Sequence, residues 1–149
     1  MGKLFKMPIE PITLGELPLV LPEFFVFMTM IQEAESEGPT GLQCVGEVIR
    51  KRTKNRIFSD GSFVSTVLYP YQFSGWNTKD PNRIRVAKMR LDDDVVLEAI
   101  RAWKRSKFSN LTLGATHYLN PRLVNPLPPW ASPSNHVIDI GNHSFYIER

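Results

Sequence analysis

From Phe24 to Ile31 the chain reads Phe-Phe-Val-Phe-Met-Thr-Met-Ile, a run with almost no polar face. A helix of that composition persists in water only when other parts of the chain surround it. The sequence therefore predicts a helix at the centre of a domain, opened by Pro22 and stopped by Gly38-Pro39. Glu33 then falls about one turn from the helix end. A carboxylate beside so much apolar surface is costly unless it works, which makes Glu33 the first candidate for chemistry.

The 149 residues suit one domain, and 42% hydrophobic with 22% charged residues is the balance of a soluble globular chain. The lone Cys44 excludes an intrachain disulfide, and its neighbours Val45 and Gly46 offer no base to activate a thiolate. Eighteen Lys and Arg against 15 Asp and Glu give a net charge of +3, with a pI near 9.1. That excess favours anionic polymers without naming one. The densest basic stretch, Arg50 to Arg56, reads as a solvated helix end that complements the negative pole of the dipole. No recognition motif accompanies it, so nucleic acid is not an expected partner. Leu17 to Ile31 is broken by Pro18, Pro22 and Glu23, is shorter than the roughly 20 apolar residues that span a bilayer, and is followed by no small-residue cleavage site. It is expected to be an extended lead-in to the core helix, with no signal peptide and no stable membrane insertion.

Residues 1–21, with Pro8, Pro11 and Pro18, are expected to form an extended arm, and residues 22–149 a single domain. A second helix fits Pro39 to Lys54, with Leu42, Val45, Val48, Ile49 and Arg52 facing inward. A short helix over Phe63–Leu68 leads through Tyr69-Pro70-Tyr71 to a loop at Gln72–Trp76. Pro81 to Lys107 reads as two helical pieces meeting at Asp92-Asp93-Asp94. Those aspartates precede a helix with Lys104, Arg105 and Lys107 at its far end, an arrangement better matched to the helix poles than to an ion, which three consecutive side chains cannot all face. A further short helix is expected over residues 113–119, closed by Asn120-Pro121. A proline-rich loop through Pro126, Pro128, Pro129 and Trp130 follows, and then a hairpin of Val137–Ile140 and His143–Ile147 around Gly141-Asn142. The expected class is α+β, mainly helical, with a small β-hairpin element.

Cleaving a glycosidic bond requires a proton for the leaving oxygen, and a carboxylic acid of raised pKa supplies it near neutral pH. The Phe- and Met-rich helix would raise Glu33 by desolvation, and Glu37, one turn later on the same helical face, is expected to raise it further by like-charge repulsion. Carboxylates four apart on one helix point the same way, whereas a glycosidase pair flanks the scissile bond from two sides. Glu37 is therefore assigned to tuning Glu33, capping the next helix near Gly38-Pro39, or holding substrate. Gln72, Phe73, Ser74 and Trp76, then Tyr118 and Asn120, then His143 and Tyr146 supply hydrogen-bonding and stacking groups suited to a sugar cleft. His117, His136 and His143 lack the close spacing of zinc ligands, and neither metal nor cofactor is expected.

In this order the blocks resemble the cell-wall hydrolase family that includes spore-cortex-lytic enzymes of the SleB and CwlJ type. Glu33-Ala34-Glu35-Ser36-Glu37-Gly38 is similar to the family's Glu-Ala-Arg-Gly-Glu, with Glu35 and Ser36 replacing Arg and Gly. Gly41 to Arg52 is similar to the family helix that ends in Asn-Arg, with Lys51 in place of Asn. Gln72-Phe73-Ser74, Gly114-Ala115 with Tyr118 and Asn120, and Ile140-Gly141 with His143 and Phe145 match the later blocks, so that the resemblance runs from about Phe27 to Tyr146. It implies a lysozyme-like, lytic transglycosylase-like fold and cleavage of the β-1,4 bond after N-acetylmuramic acid by Glu33 as acid and then base, leaving 1,6-anhydro-muramoyl ends. Alternatives are a hydrolytic muramidase of the same fold and a non-catalytic peptidoglycan-binding module. The expected setting is a monomeric phage endolysin acting on glycan strands of the host wall, made in the cytoplasm and released by a holin-type pore.

Overall fold

The computed structural model describes residue 13, residues 23–76 and residues 80–149. Helix α1 spans Phe24–Ala34, and Val26 to Ile31 and Ala34 are all buried, so burial runs around its whole circumference. Four helices supply the cover: α2 (Gly38–Asn55), α3 (Phe63–Leu68), α4 (Pro81–Ala87) and α5 (Asp94–Ser106). One core joins Phe27 and Met30 to Leu42, Val45 and Ile49 of α2 and Val67 of α3. A second joins Met28 and Ile31 to Val86 of α4 and to Val96 and Ala99 of α5. α1 is held on every side because every side is apolar.

Local chemistry sets the other boundaries. The Ser62 hydroxyl accepts from Ser65 N to open α3, and the Asp80 carboxylate accepts from Asn82 N to open α4. Before α5, Asp93 accepts from Arg90 N, while Asp94 occupies the first turn and Lys104 and Arg105 the last, so that both poles of the helix carry the complementary charge.

Two expectations need correction. The first helix does not run on to Gly38: Ala34, at φ −144° and ψ 15°, leaves helical geometry, and Glu35–Glu37 forms one 3-10 turn before α2. Residues 113–119 are not helical. Leu113 and Gly114 take positive φ, 55° and 81°, and His117–Leu119 is strand β1. With β2 (His136–Ile140) and β3 (His143–Tyr146) it forms an antiparallel sheet in the order β1-β3-β2. β1 is a strand because Thr116 N finds the Tyr146 carbonyl and the strand pairs with β3 over three residues, a long-range partnership that outweighs local preference. Phe145 of β3 is buried against Cys44, Val48 and Ala115, which docks the sheet on α2.

The proposed arm over residues 1–21 lies outside the described residues, apart from Thr13, which bridges to Arg90. Among the described residues no helix is long and apolar enough to cross a membrane.

Candidate active site

Glu33 is the penultimate residue of α1. The helix is buried along its length and breaks one residue later, which delivers the carboxylate to a cleft of about 440 Å³ between the helices and the sheet. Ser36 and Glu37 line one part of it, Arg52 of α2 another, and Tyr71, Gln72 and Ser74 a third. Tyr118, Leu119 and Asn120 enter from β1 and the residue after it, and Asn142 and His143 from the hairpin.

Burial pushes the Glu33 carboxyl up to about 7, with the Asp80 charge adding a smaller upward effect and Tyr118 and Arg52 opposing both. Desolvation leads, as the apolar helix requires. The like-charge neighbour is Asp80 in place of the expected Glu37, because the break at Ala34 removes the shared helical face. Glu37 instead meets the hairpin, where its Oε2 accepts from Asn142 N at 3.4 Å. Gly141 permits that approach: at φ 59° it carries no Cβ, which would sit 2.5 Å from Glu37 Oε2.

Arg52 is buried and ties the walls together. Its Nε donates to the Thr116 carbonyl at 2.7 Å, its Nη1 reaches Gln72 Oε1 at 3.4 Å, and its guanidinium lies 5.4 Å from the centre of the Phe73 ring. The Tyr118 hydroxyl is buried beside Glu33, close enough to favour its charged form, but makes no well-formed hydrogen bond among the described residues. Burial holds Tyr118 well above the usual phenol range, so it stays a neutral O–H donor. Its ring leans on His143 and Phe145, with centroids 5.1 Å and 5.7 Å away. Burial also lowers the His143 imidazole, partly offset by Glu37, which keeps the ring largely neutral at pH 7.

Seven of the residues singled out in the sequence thus meet in one cleft: Glu33, Glu37, Gln72, Ser74, Tyr118, Asn120 and His143. Three do not line it. Phe73 is buried in the core under Arg52. Trp76, expected among the groups of the sugar cleft, donates Nε1–H to Thr29 Oγ1 at 2.8 Å and packs edge-on to Phe25. Tyr146 is buried against Trp130 and His136. Each aromatic found a partner distant in sequence, which the local pattern does not reveal. Two exposed rim residues went unnoticed, Leu123 and Tyr71. Tyr71 is 95% exposed and held at φ 66°, unusual for a bulky residue. Gln32, next to Glu33, was also missed. Its amide is buried under Gly75 and has no partner among the described residues; a Cβ at Gly75 would come within 2.3 Å of Oε1.

A family model described as Cell Wall Hydrolase matches residues 36–146, most of the chain. The chain belongs to the cell wall hydrolase family. It is an enzyme that degrades peptidoglycan, and the cleft residues from Ser36 to His143 fall inside the matched span, with Glu33 three residues before it. The hydrolase also resembles the catalytic domain of the germination-specific lytic transglycosylase SleB from Bacillus anthracis, with a TM-score of 0.63 and 17% sequence identity, over 82% of this chain and 90% of that one. That likeness shows the fold, the lysozyme-like arrangement expected for the hydrolase. No curated protein matches the chain.

Proposed function

We propose that the hydrolase cleaves the β-1,4 bond between N-acetylmuramic acid and N-acetylglucosamine as a lytic transglycosylase, with Glu33 as the proton carrier. The observation that carries this reading is a carboxyl group raised to about 7 in an open cleft of polar walls. Protonated Glu33 gives its proton to the bridging oxygen as the bond to the anomeric carbon breaks. The C6 hydroxyl of the muramoyl residue attacks that carbon, and the Glu33 carboxylate takes the hydroxyl proton, which returns the acid to its starting state and leaves a 1,6-anhydro ring. Arg52 and the Tyr118 O–H stabilise the carboxylate between the two transfers, so that one group can serve as acid and base. Gln72, Ser74, Asn120 and His143 are the proposed sugar contacts and Tyr71 a stacking platform on the rim.

A hydrolytic outcome has one observation in its favour. Glu37 lines the same cleft and, off the α1 axis, is free of the one-face constraint. Mass spectrometry of muropeptides released from purified sacculi decides between them, because each anhydro product is one water lighter than its hydrolysed counterpart. Reducing muramic acid ends alone would discard the transglycosylase. Intact sacculi would discard the enzyme.

The phage-lysin setting belongs to the same proposal. Co-expression with a holin-type pore should lyse host cells, and lysis without the pore would remove the need for one.

A further inference from the structure

Arg52 faces the cleft, and Arg50 and Lys54, two residues to either side, point about 160° away around the helix axis. There, with Lys51 and Lys107, they line a separate concavity of about 240 Å³. Arg50 is fixed, with its guanidinium 3.6 Å over the Trp103 ring and Nε bonded to Ser106 Oγ. Lys51, Lys54 and Lys107 form no ion pair among the described residues. Glu47, the one carboxylate among the described residues that line the concavity, is fully engaged: it accepts from the Ser109 hydroxyl, from Leu111 N and Thr112 N at 3.0 Å, and from Thr112 Oγ1 at 2.9 Å. Four cations thus share this concavity with a carboxylate whose oxygens are already taken.

The hold that Glu47 has on the 109–112 loop also turns apolar side chains outward. Phe108 is 87% exposed, Leu113 51% and Leu111 38%. The Lys107 ammonium lies 5.6 Å from the centre of the Phe108 ring. Scattered surface hydrophobics are ordinary, but these three fall within residues 108–113, on a loop that Glu47 anchors and that Lys107 leads into. Lipid headgroup phosphates suit the lysines, and the acyl boundary suits the phenylalanine and leucines. A soluble polyanion would engage the charges and leave the apolar tip unexplained. We propose that this face docks on a membrane surface rich in anionic phospholipid, with the Glu33 cleft turned away from the bilayer.

Co-sedimentation of the full chain with vesicles tests this. The protein should pellet with phosphatidylglycerol–phosphatidylcholine vesicles and remain in solution with phosphatidylcholine alone. Lys51→Gln and Lys54→Gln should each lower the partition about fivefold. Phe108→Ser combined with Leu113→Ser should lower it as well while leaving binding to soluble polyphosphate unchanged, and emission from Phe108→Trp should shift to the blue on vesicle binding. Lysis of purified sacculi should be unaffected in all of these variants, since none of these residues lines the cleft. Equal pelleting of the Phe108→Ser, Leu113→Ser variant, equal pelleting with neutral vesicles, or binding to polyphosphate but not to vesicles would each overturn the proposal.

Discussion

Glu33 carries two measurable consequences of one environment. As the proposed general acid it must be protonated, so kcat/KM should fall as pH rises past about 7. Glu33→Gln should abolish muropeptide release with the helical circular dichroism intact. The same raised pKa ties stability to pH. The folded protein holds this proton more tightly than the unfolded chain, so the stabilisation is complete below the ordinary carboxyl value of 4.5 and is lost as pH climbs through about 7. Denaturant titrations should show Glu33→Gln matching the parent near pH 4 and exceeding it by up to about 3 kcal/mol above pH 8. Arg52 works in the opposite direction, because its charge favours the carboxylate. Arg52→Met should move the alkaline limb of activity upward and, by stranding the Thr116 carbonyl, cost about 2 kcal/mol. Arg52→Lys keeps the charge and should leave the limb near its original place.

The helices were the legible elements. An apolar run without a polar face specified a buried α1, and Leu42, Val45, Val48, Ile49 and Arg52 specified the inner face of α2, including a cation that reaches the cleft. The hairpin was legible from Gly141-Asn142 between alternating strands. β1 was not, because three residues gain strand geometry only from pairing with β3. Nor was the fate of Trp76, whose partner Thr29 lies 47 residues earlier. Glu37 does line the cleft, but it shares no helical face with Glu33, for a backbone reason, the φ of −144° at Ala34, which no side-chain pattern encodes. Phe145 fixes the sheet to α2 through Cys44, Val48 and Ala115. Phe145→Ala should cost about 3 to 5 kcal/mol in chemical denaturation. It should also reduce activity on sacculi beyond what the lost stability explains, because Tyr118 and His143 both rest on this sheet.

Across the whole molecule, the cleft is assembled from segments far apart in sequence, with Glu33 on α1 and two of its walls contributed after residue 117. The sheet depends on that separation, since its middle strand, β3, is the last in sequence and, among the described residues, is the partner of β1. A fragment ending at residue 135 should keep most of the helical signal in circular dichroism and release no muropeptides. The strand order β1-β3-β2 has a consequence for synthesis on the ribosome. A nascent chain carries Glu33 early, but the cleft walls on β1 and the hairpin are assembled only once Tyr146 has emerged to pair with His117.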